Sequence, residues 1–151
     1  MSPQPKAQKS PVKSCHWSIE QLPGLSLEEK SQLKSNGITT TKALVQQGKT
    51  PASRLALANK LQVHLQHINK WIALADLARI ESVGTQYCGL LLHAGVISVA
   101  QLATIPTHKL HQQVLRLVVA TMQNKDLCPK VEQVQQWSQQ AKILVGAGFI
   151  K

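Results

Sequence analysis

Residues 19–26 read IEQLPGLS in one-letter code, and residues 77–84 read LARIESVG. Both stretches place apolar side chains at corresponding positions around a short turn, and the match continues downstream without a change of spacing. The downstream matches are Leu33 with Leu91, Gly37 with Gly95, Ile38 with Val96 and Leu44 with Leu102. Similarity at a fixed separation is the sequence signature of a structural repeat. One such unit is too short to bury its own core, so we predict two copies packed on each other.

Helix boundaries are marked clearly along both copies. Ser26 and Glu29 have the spacing of a capping box, and Gly37 follows an apolar helical pattern at the position of a left-handed helix end. Thr50 followed by Pro51 is typical of a helix start. Apolar residues recur at helical spacing in the remaining segments, which indicates an all-α protein.

The bulk composition limits the class of protein. The chain has 151 residues, 43% of them hydrophobic, and a formal net charge of +10. An excess of positive charge favours an anionic partner, although the lysines and arginines are spread along the chain. The three cysteines have no metal-binding spacing, no apolar run is long enough to span a bilayer, and no secretory signal is recognisable. We therefore expect a cytoplasmic protein without a membrane span.

The repeated element resembles the helix-hairpin-helix motif, in which an apolar-Pro-Gly-apolar-Gly turn precedes a helix. Over residues 17–145 the chain is also similar to a bacterial family of tandem helix-hairpin-helix domains of unknown function. Further positions that carry this resemblance are 75–80, Gly84, Tyr87, Cys88, 93–96, Val134, Trp137 and Ala141. The resemblance implies two tandem repeats, at 17–78 and 79–145, in one compact helical domain. A basic disordered tail is expected at 1–16 and a C-terminal tail at 146–151.

In helix-hairpin-helix proteins the turn amides and the helix dipole attract a backbone phosphate. The corresponding candidates here are Gly24, Leu25, Ser26, Val83, Gly84 and Thr85, with Lys30, Lys34 and Arg79 as supporting cations. Each copy departs from the motif: Ser26 replaces the second glycine in the first, and Glu81-Ser82 replaces Pro-Gly in the second. A carboxylate at Glu81 would repel phosphate. The alternative is that both hairpins only set the angle between their helices.

A second DNA-binding pattern overlaps the first repeat. Residues 54–71 have the apolar spacing of a helix-turn-helix, with Gln62 where the turn usually has glycine. In that case a major groove would face His64, Gln66, Asn69 and Lys70. The alternative is that two short packed helices share this spacing without reading DNA.

Catalytic and metal-binding patterns are weak. His64 with His67, and His108 with His111, could each place two imidazoles on one helix face, but a zinc site needs about four ligands. We predict no enzyme activity, no catalytic residues, no metal, no cofactor and no small-molecule substrate. The favoured function is sequence-independent binding of a nucleic-acid backbone, with DNA preferred over RNA. The alternative is a protein-interaction adaptor or scaffold that binds a protein partner.

Overall fold

The computed structural model describes residues 14–122 and 128–146. Within these ranges the chain forms a 3₁₀ turn at Ile19–Gln21 and eight α-helices, with no strand beyond an isolated bridge between Ser18 and Thr40. The helices are α1 (Leu27–Ser35), α2 (Thr41–Gln47), α3 (Pro51–Leu61), α4 (Leu65–Leu77), α5 (Gly84–His93), α6 (Val99–Thr104), α7 (Thr107–Met122) and α8 (Val131–Gly146). The predicted all-α fold class is confirmed.

The helix boundaries follow local capping chemistry. The Ser26 hydroxyl accepts a hydrogen bond from the Glu29 amide at 3.1 Å, and the Glu29 carboxylate accepts one from the Ser26 amide at 2.8 Å. At the start of α3 the Thr50 hydroxyl accepts from the Ser53 amide at 3.0 Å, with Pro51 in the first turn. These side chains satisfy amides that the first helical turn leaves without partners, so both predicted helix starts are confirmed.

The two halves end their first helices in the same way. Gly37 after α1 and Gly95 after α5 have φ angles of +83° and +102°, which favour glycine. The amides of the next residues, Ile38 and Val96, donate to carbonyl oxygens within the preceding helices at 2.9 and 3.0 Å. The local turn geometry is thus the same in both halves. The description of each unit as a helix-hairpin-helix repeat remains a prediction, as do the repeat boundaries.

The long final helix of each half organises the packing. In the first half α4 packs against α2 and α3, and in the second half α8 packs against α6 and α7. The halves meet where α4 packs against α5, and their buried apolar side chains form one continuous core. Each of these final helices buries one tryptophan: Trp71 on α4 is 1% exposed, and Trp137 on α8 is fully buried.

The segment 14–18 lies against the junction between the halves. The Trp17 indole donates to the Ala78 carbonyl at 2.7 Å, and the Cys15 amide donates to the Arg79 carbonyl at 2.8 Å. Trp17 and Thr41 are also joined by two hydrogen bonds, at 2.8 and 2.9 Å. Of the predicted tails, positions 1–13 and 147–151 lie outside the described residues, whereas Ser14 and Cys15 are hydrogen-bonded to Arg79 in the turn after α4.

Gly48, at the end of α2, is expected to tolerate no side chain. A Cβ there would lie 2.3 Å from Cδ1 and 2.9 Å from Cγ1 of Ile72, which is only 4% exposed. We expect Gly48→Ala to lower the free energy of unfolding by about 1–3 kcal/mol, because overpacking forces neighbouring side chains to move. Urea denaturation measures this change. Gly146→Ala is the matched control, since nothing lies within 4 Å of its added Cβ; equal stability losses in both variants would contradict the prediction.

Candidate functional site

The first hairpin turn, at residues 23–26, exposes Gly24 and Ser26, but the Ser26 amide already donates to a protein acceptor. Gly24 has a φ of +84°, as the motif requires. The Ser26 amide, however, donates to the Glu29 carboxylate in the capping box described above. A phosphate at this turn would have to displace that carboxylate and tolerate Glu28 beside it. The capping chemistry that starts α1 therefore works against anion binding at Ser26, whereas no described residue accepts a hydrogen bond from the Leu25 amide.

The two lysines expected to support this turn are directed elsewhere. Lys30 donates from Nζ to the Glu20 carbonyl oxygen at 2.8 Å, and Lys34 forms an ion pair with the Glu20 carboxylate. Lys34 also lowers the pKa of Glu20, through its hydrogen bond and its charge. Glu20 thus offsets much of the positive charge on this side of α1.

The second hairpin turn is enclosed by the protein. Val83 and Gly84 are buried, and their amides donate to the Ile80 carbonyl oxygen at 3.0 and 2.8 Å. The Trp17 ring covers this turn, because a Cβ at Gly84 would lie 3.4 Å from it. Half-buried Thr85 is the next residue along α5. The geometry therefore weighs against Val83 and Gly84 as phosphate contacts.

Residues from α8 complete this enclosure. The Gln140 side-chain oxygen accepts from the amide and the hydroxyl of Ser82, at 3.1 and 2.7 Å. The Trp137 indole donates to the Ser82 carbonyl oxygen at 3.2 Å. The polar groups of the turn are thus satisfied inside the protein, which is the arrangement of a structural turn.

The segment proposed as a helix-turn-helix does contain two helices joined by a tight turn. Gln62 between α3 and α4 is left-handed, with φ and ψ of 59° and 45°, the conformation for which glycine is usual. His64, Gln66, Asn69 and Lys70 are all exposed, and of these only Asn69 and Lys70 are among the residues that line the cleft described next. Asn69 accepts from Arg54 at 2.9 Å. His64 lies beside His67, with ring centroids 6.2 Å apart.

This cleft has a volume of about 1020 Å³. Its residues come from the segment 14–18 and from both halves of the protein, and six of them are basic or histidine. The lining residues that carry or can carry positive charge are His16, Lys42, Lys49, Arg54, Lys70 and Arg79. Only Lys70 and Arg79 were singled out from the sequence. Of the others, His16 is distant in sequence, while Lys42, Lys49 and Arg54 are spaced by five to seven residues and form no dense cluster of charge.

Asp76 is the one acidic residue that lines this cleft among the described residues, and its charge is compensated. One carboxylate oxygen accepts from the Arg79 guanidinium at 2.7 Å, and the other accepts from the Val99 amide at the start of α6 at 2.8 Å. Arg79 also donates to the Ser14 hydroxyl at 2.9 Å and is only 5% exposed. Arg79 thus holds Asp76 and Ser14 in place in the cleft wall. The exposed lysines give the cleft its net positive charge.

His16 is a local indicator of this positive charge. Burial lowers the pKa of the imidazole below its usual value, and the positive charges of Lys42 and Arg79 lower it further. An anion bound in the cleft would oppose the effect of these two cations and raise the pKa of His16 again. The direction of the contributions from Lys42 and Arg79 agrees with an excess of positive charge near His16.

Other chemistries find less support in the described residues. In residues 14–122 and 128–146, no group of three or more His, Cys, Asp or Glu side chains could hold a metal ion. His108 and His111 are both on α7. His108 is exposed, whereas Nε2 of His111 lies 3.9 Å from the Cys128 sulfur. Burial raises the pKa of Cys88 to about 11, so this thiol is protonated at neutral pH. No helix in these ranges has the length and apolar character needed to cross a membrane.

Comparison with known proteins identifies a family but no characterised relative. The family described as Domain of unknown function (DUF4332) matches residues 23–144, a range that contains all eight helices except the end of α8. Searches of the curated proteins and of the solved structures found no match. Because the match covers most of the sequence and includes both hairpins and the residues of the cleft beyond segment 14–18, the chain belongs to the DUF4332 family of domains of unknown function.

Proposed function

We propose that this protein is a non-enzymatic module that binds nucleic acid through its sugar–phosphate backbone, with the basic cleft as the contact surface. The observation that carries the proposal is the convergence of Lys42, Lys49 and Lys70, all exposed, on one concave surface. A concave surface lined by one sign of charge concentrates the field and attracts a polyanion. Contacts to phosphate oxygens carry no sequence information, so binding is expected to be sequence-independent.

Two features favour the cleft over the hairpin turns as the main contact. The excess charge of the cleft is not cancelled, because its single carboxylate, Asp76, is held by Arg79 and the Val99 amide. At the hairpins, by contrast, carboxylates or protein acceptors already occupy the Ser26, Val83 and Gly84 amides. We therefore assign the second hairpin a structural role.

The first hairpin retains a secondary part in this proposal. A Cβ at Gly24 would lie 3.8 Å from Cε of Lys70, so the exposed turn is next to a cation of the cleft. A strand held at Lys70 would therefore be close to the Gly24 backbone. The lysines supply the attraction, and this turn extends the surface.

Charge reversal in the cleft tests the proposal. The triple variant Lys42→Glu/Lys49→Glu/Lys70→Glu should bind labelled DNA at least about tenfold more weakly in fluorescence anisotropy at low salt. Its log–log salt slope should be shallower, since each lost contact removes about 0.9 on duplex DNA or about 0.7 on a single strand. DNA and RNA probes of equal length measure the preference between the two nucleic acids.

The matched control is Lys60→Glu/Lys109→Glu/Lys130→Glu, which changes the net charge equally at exposed lysines outside the cleft. This variant should keep most of the affinity and the salt slope. If the two triple variants lose affinity equally, the attraction is diffuse and the cleft is not the site. If the unaltered protein binds no DNA or RNA at low salt, nucleic-acid binding is excluded.

A further inference from the structure

We infer that the cleft selects single-stranded nucleic acid and holds the bases of the strand against the wall formed by the second half of the protein. This inference rests on the proposed function and adds the substrate class and the orientation of the strand. Its basis is a difference between the two walls of the cleft, which are contributed by different halves of the chain.

The wall from the first half is cationic. Lys42 comes from α2, Lys49 from the turn after it, Arg54 from α3 and Lys70 from α4. Arg54 is held in place because its guanidinium donates to the Gly48 carbonyl and to Asn69, at 2.8 and 2.9 Å. This wall can neutralise a row of phosphates.

The wall from the second half carries no charged side chain of its own among the described residues. It consists of Leu92 on α5, Ile97 and Ser98 in the following turn, and Ala100 on α6. Ile97 is 61% exposed, although it is a large aliphatic side chain. The floor between the walls is also largely apolar, with Val45, Ile72 and Ala73. Uncharged and mostly apolar residues of the second half thus line the same cleft as the lysines.

These two walls match the two edges of a single strand. An unpaired strand has phosphates along one edge and exposed base faces along the other. Proteins hold such strands in a charged groove beside side chains, most often aromatic, that contact the bases. A duplex stacks its bases inside and exposes phosphates on a convex surface. It would contact the lysines of the cationic wall but leave Ile97 and the apolar floor uncovered.

The size and lining of the cleft define the binding further. Ligand sites that enclose a drug-sized molecule measure roughly 300–1,000 Å³, so about 1020 Å³ accommodates only a few nucleotides. No Phe, Tyr or Trp is among the described lining residues, so the bases would contact aliphatic side chains instead of stacking on rings. Such contacts tolerate any base, in agreement with sequence-independent binding.

An oligonucleotide without bases provides the decisive probe. Labelled oligo-dT, an abasic strand of equal length and a duplex of that length are titrated with the full chain at one low salt concentration. We expect oligo-dT to bind at least about fivefold more tightly than either of the others, because only its bases can cover the apolar wall.

Substitutions of Ile97 locate the contact. Ile97→Ser should reduce the ratio of oligo-dT to abasic affinity toward one, whereas Ile97→Trp should raise oligo-dT affinity several-fold by offering a ring for stacking. Neither variant should change abasic binding, since the phosphates contact the other wall. Val119→Trp is the control, at a position 46% exposed on α7 and outside the cleft.

The outcomes separate this inference from the proposed function. Equal affinities for oligo-dT and the abasic strand, or tighter binding of the duplex, would overturn the single-strand inference and leave backbone binding intact. Insensitivity of the oligo-dT affinity to both Ile97 variants would overturn the placement of the bases. Failure of all three probes to bind would overturn the proposed function as well.

Discussion

Asp76→Ala should lower the free energy of unfolding by about 3–5 kcal/mol, because it removes one partner of a buried ion pair. The side chains of Arg79 and Asp76 are only 6% and 14% exposed, and their closest atoms are 2.7 Å apart. Without the carboxylate the guanidinium stays buried near its old position without this counter-charge. The Val99 amide at the start of α6 loses its 2.8 Å acceptor at the same time. Urea denaturation followed by circular dichroism measures the loss.

Two further variants separate charge from shape at this site. Asp76→Asn keeps the size of the side chain and a hydrogen-bond acceptor, so it should cost less than Asp76→Ala. The double variant Asp76→Ala/Arg79→Met removes both charges and should recover part of the stability, since an ion pair replaced by apolar groups is often tolerated. A loss below about 1 kcal/mol for Asp76→Ala would show that solvent screens this pair as it does a surface pair.

Trp137→Ala should also lower the free energy of unfolding by about 3–5 kcal/mol, the range measured when a large buried aromatic is truncated. The Trp137 ring is fully buried, its centroid is 5.2 Å from that of Tyr87, and its indole nitrogen donates to the Ser82 carbonyl oxygen. Truncation leaves a cavity between α8 and the second hairpin and an unsatisfied carbonyl. The midpoint and slope of urea denaturation report the change.

Trp137→Phe separates packing from hydrogen bonding at this position. It retains an aromatic ring in the core but cannot donate to Ser82, so it should cost much less than the alanine variant. Hydrogen exchange at α5 and α8 provides a second measurement, because α8 holds the hairpin turn that precedes α5. If Trp137→Ala leaves the stability within about 1 kcal/mol of the original, the surrounding side chains collapse into the cavity and the tryptophan is not a central core residue.

Local features of the fold were predictable from the sequence because their causes are local. Ser26 and Glu29 form their capping box within one helical turn, and Thr50 with Pro51 starts α3 through the same kind of short-range contact. Gly37 and Gly95 end helices with positive φ angles that other residues adopt with difficulty. Few donors and acceptors are near enough to compete in such cases, so residue types and spacing are sufficient to predict the helix boundary.

The state of the hairpins was not predictable in this way. The motif around Gly84 suggests exposed amides. Trp17, from the segment 14–18, covers this turn, and Gln140 on α8 accepts a hydrogen bond from Ser82. Neither contact leaves a pattern in the residues near the turn. Likewise, the spacing of Lys30 and Lys34 does not show that Lys30 donates to the Glu20 carbonyl or that Lys34 pairs with the Glu20 carboxylate.

The amino-acid sequence by itself determined that the chain is helical, where α1 and α3 begin and where α1 ends, and that similar segments recur at a fixed separation. These properties depend on short-range hydrogen bonds, backbone preferences and apolar periodicity. Only the tertiary structure decided which polar groups remain available to a ligand. It buried the second hairpin and brought Lys42, Lys49 and Lys70 to one cleft opposite Ile97. Packing joins residues distant in the chain, so the basic surface arises from the fold and not from any one segment.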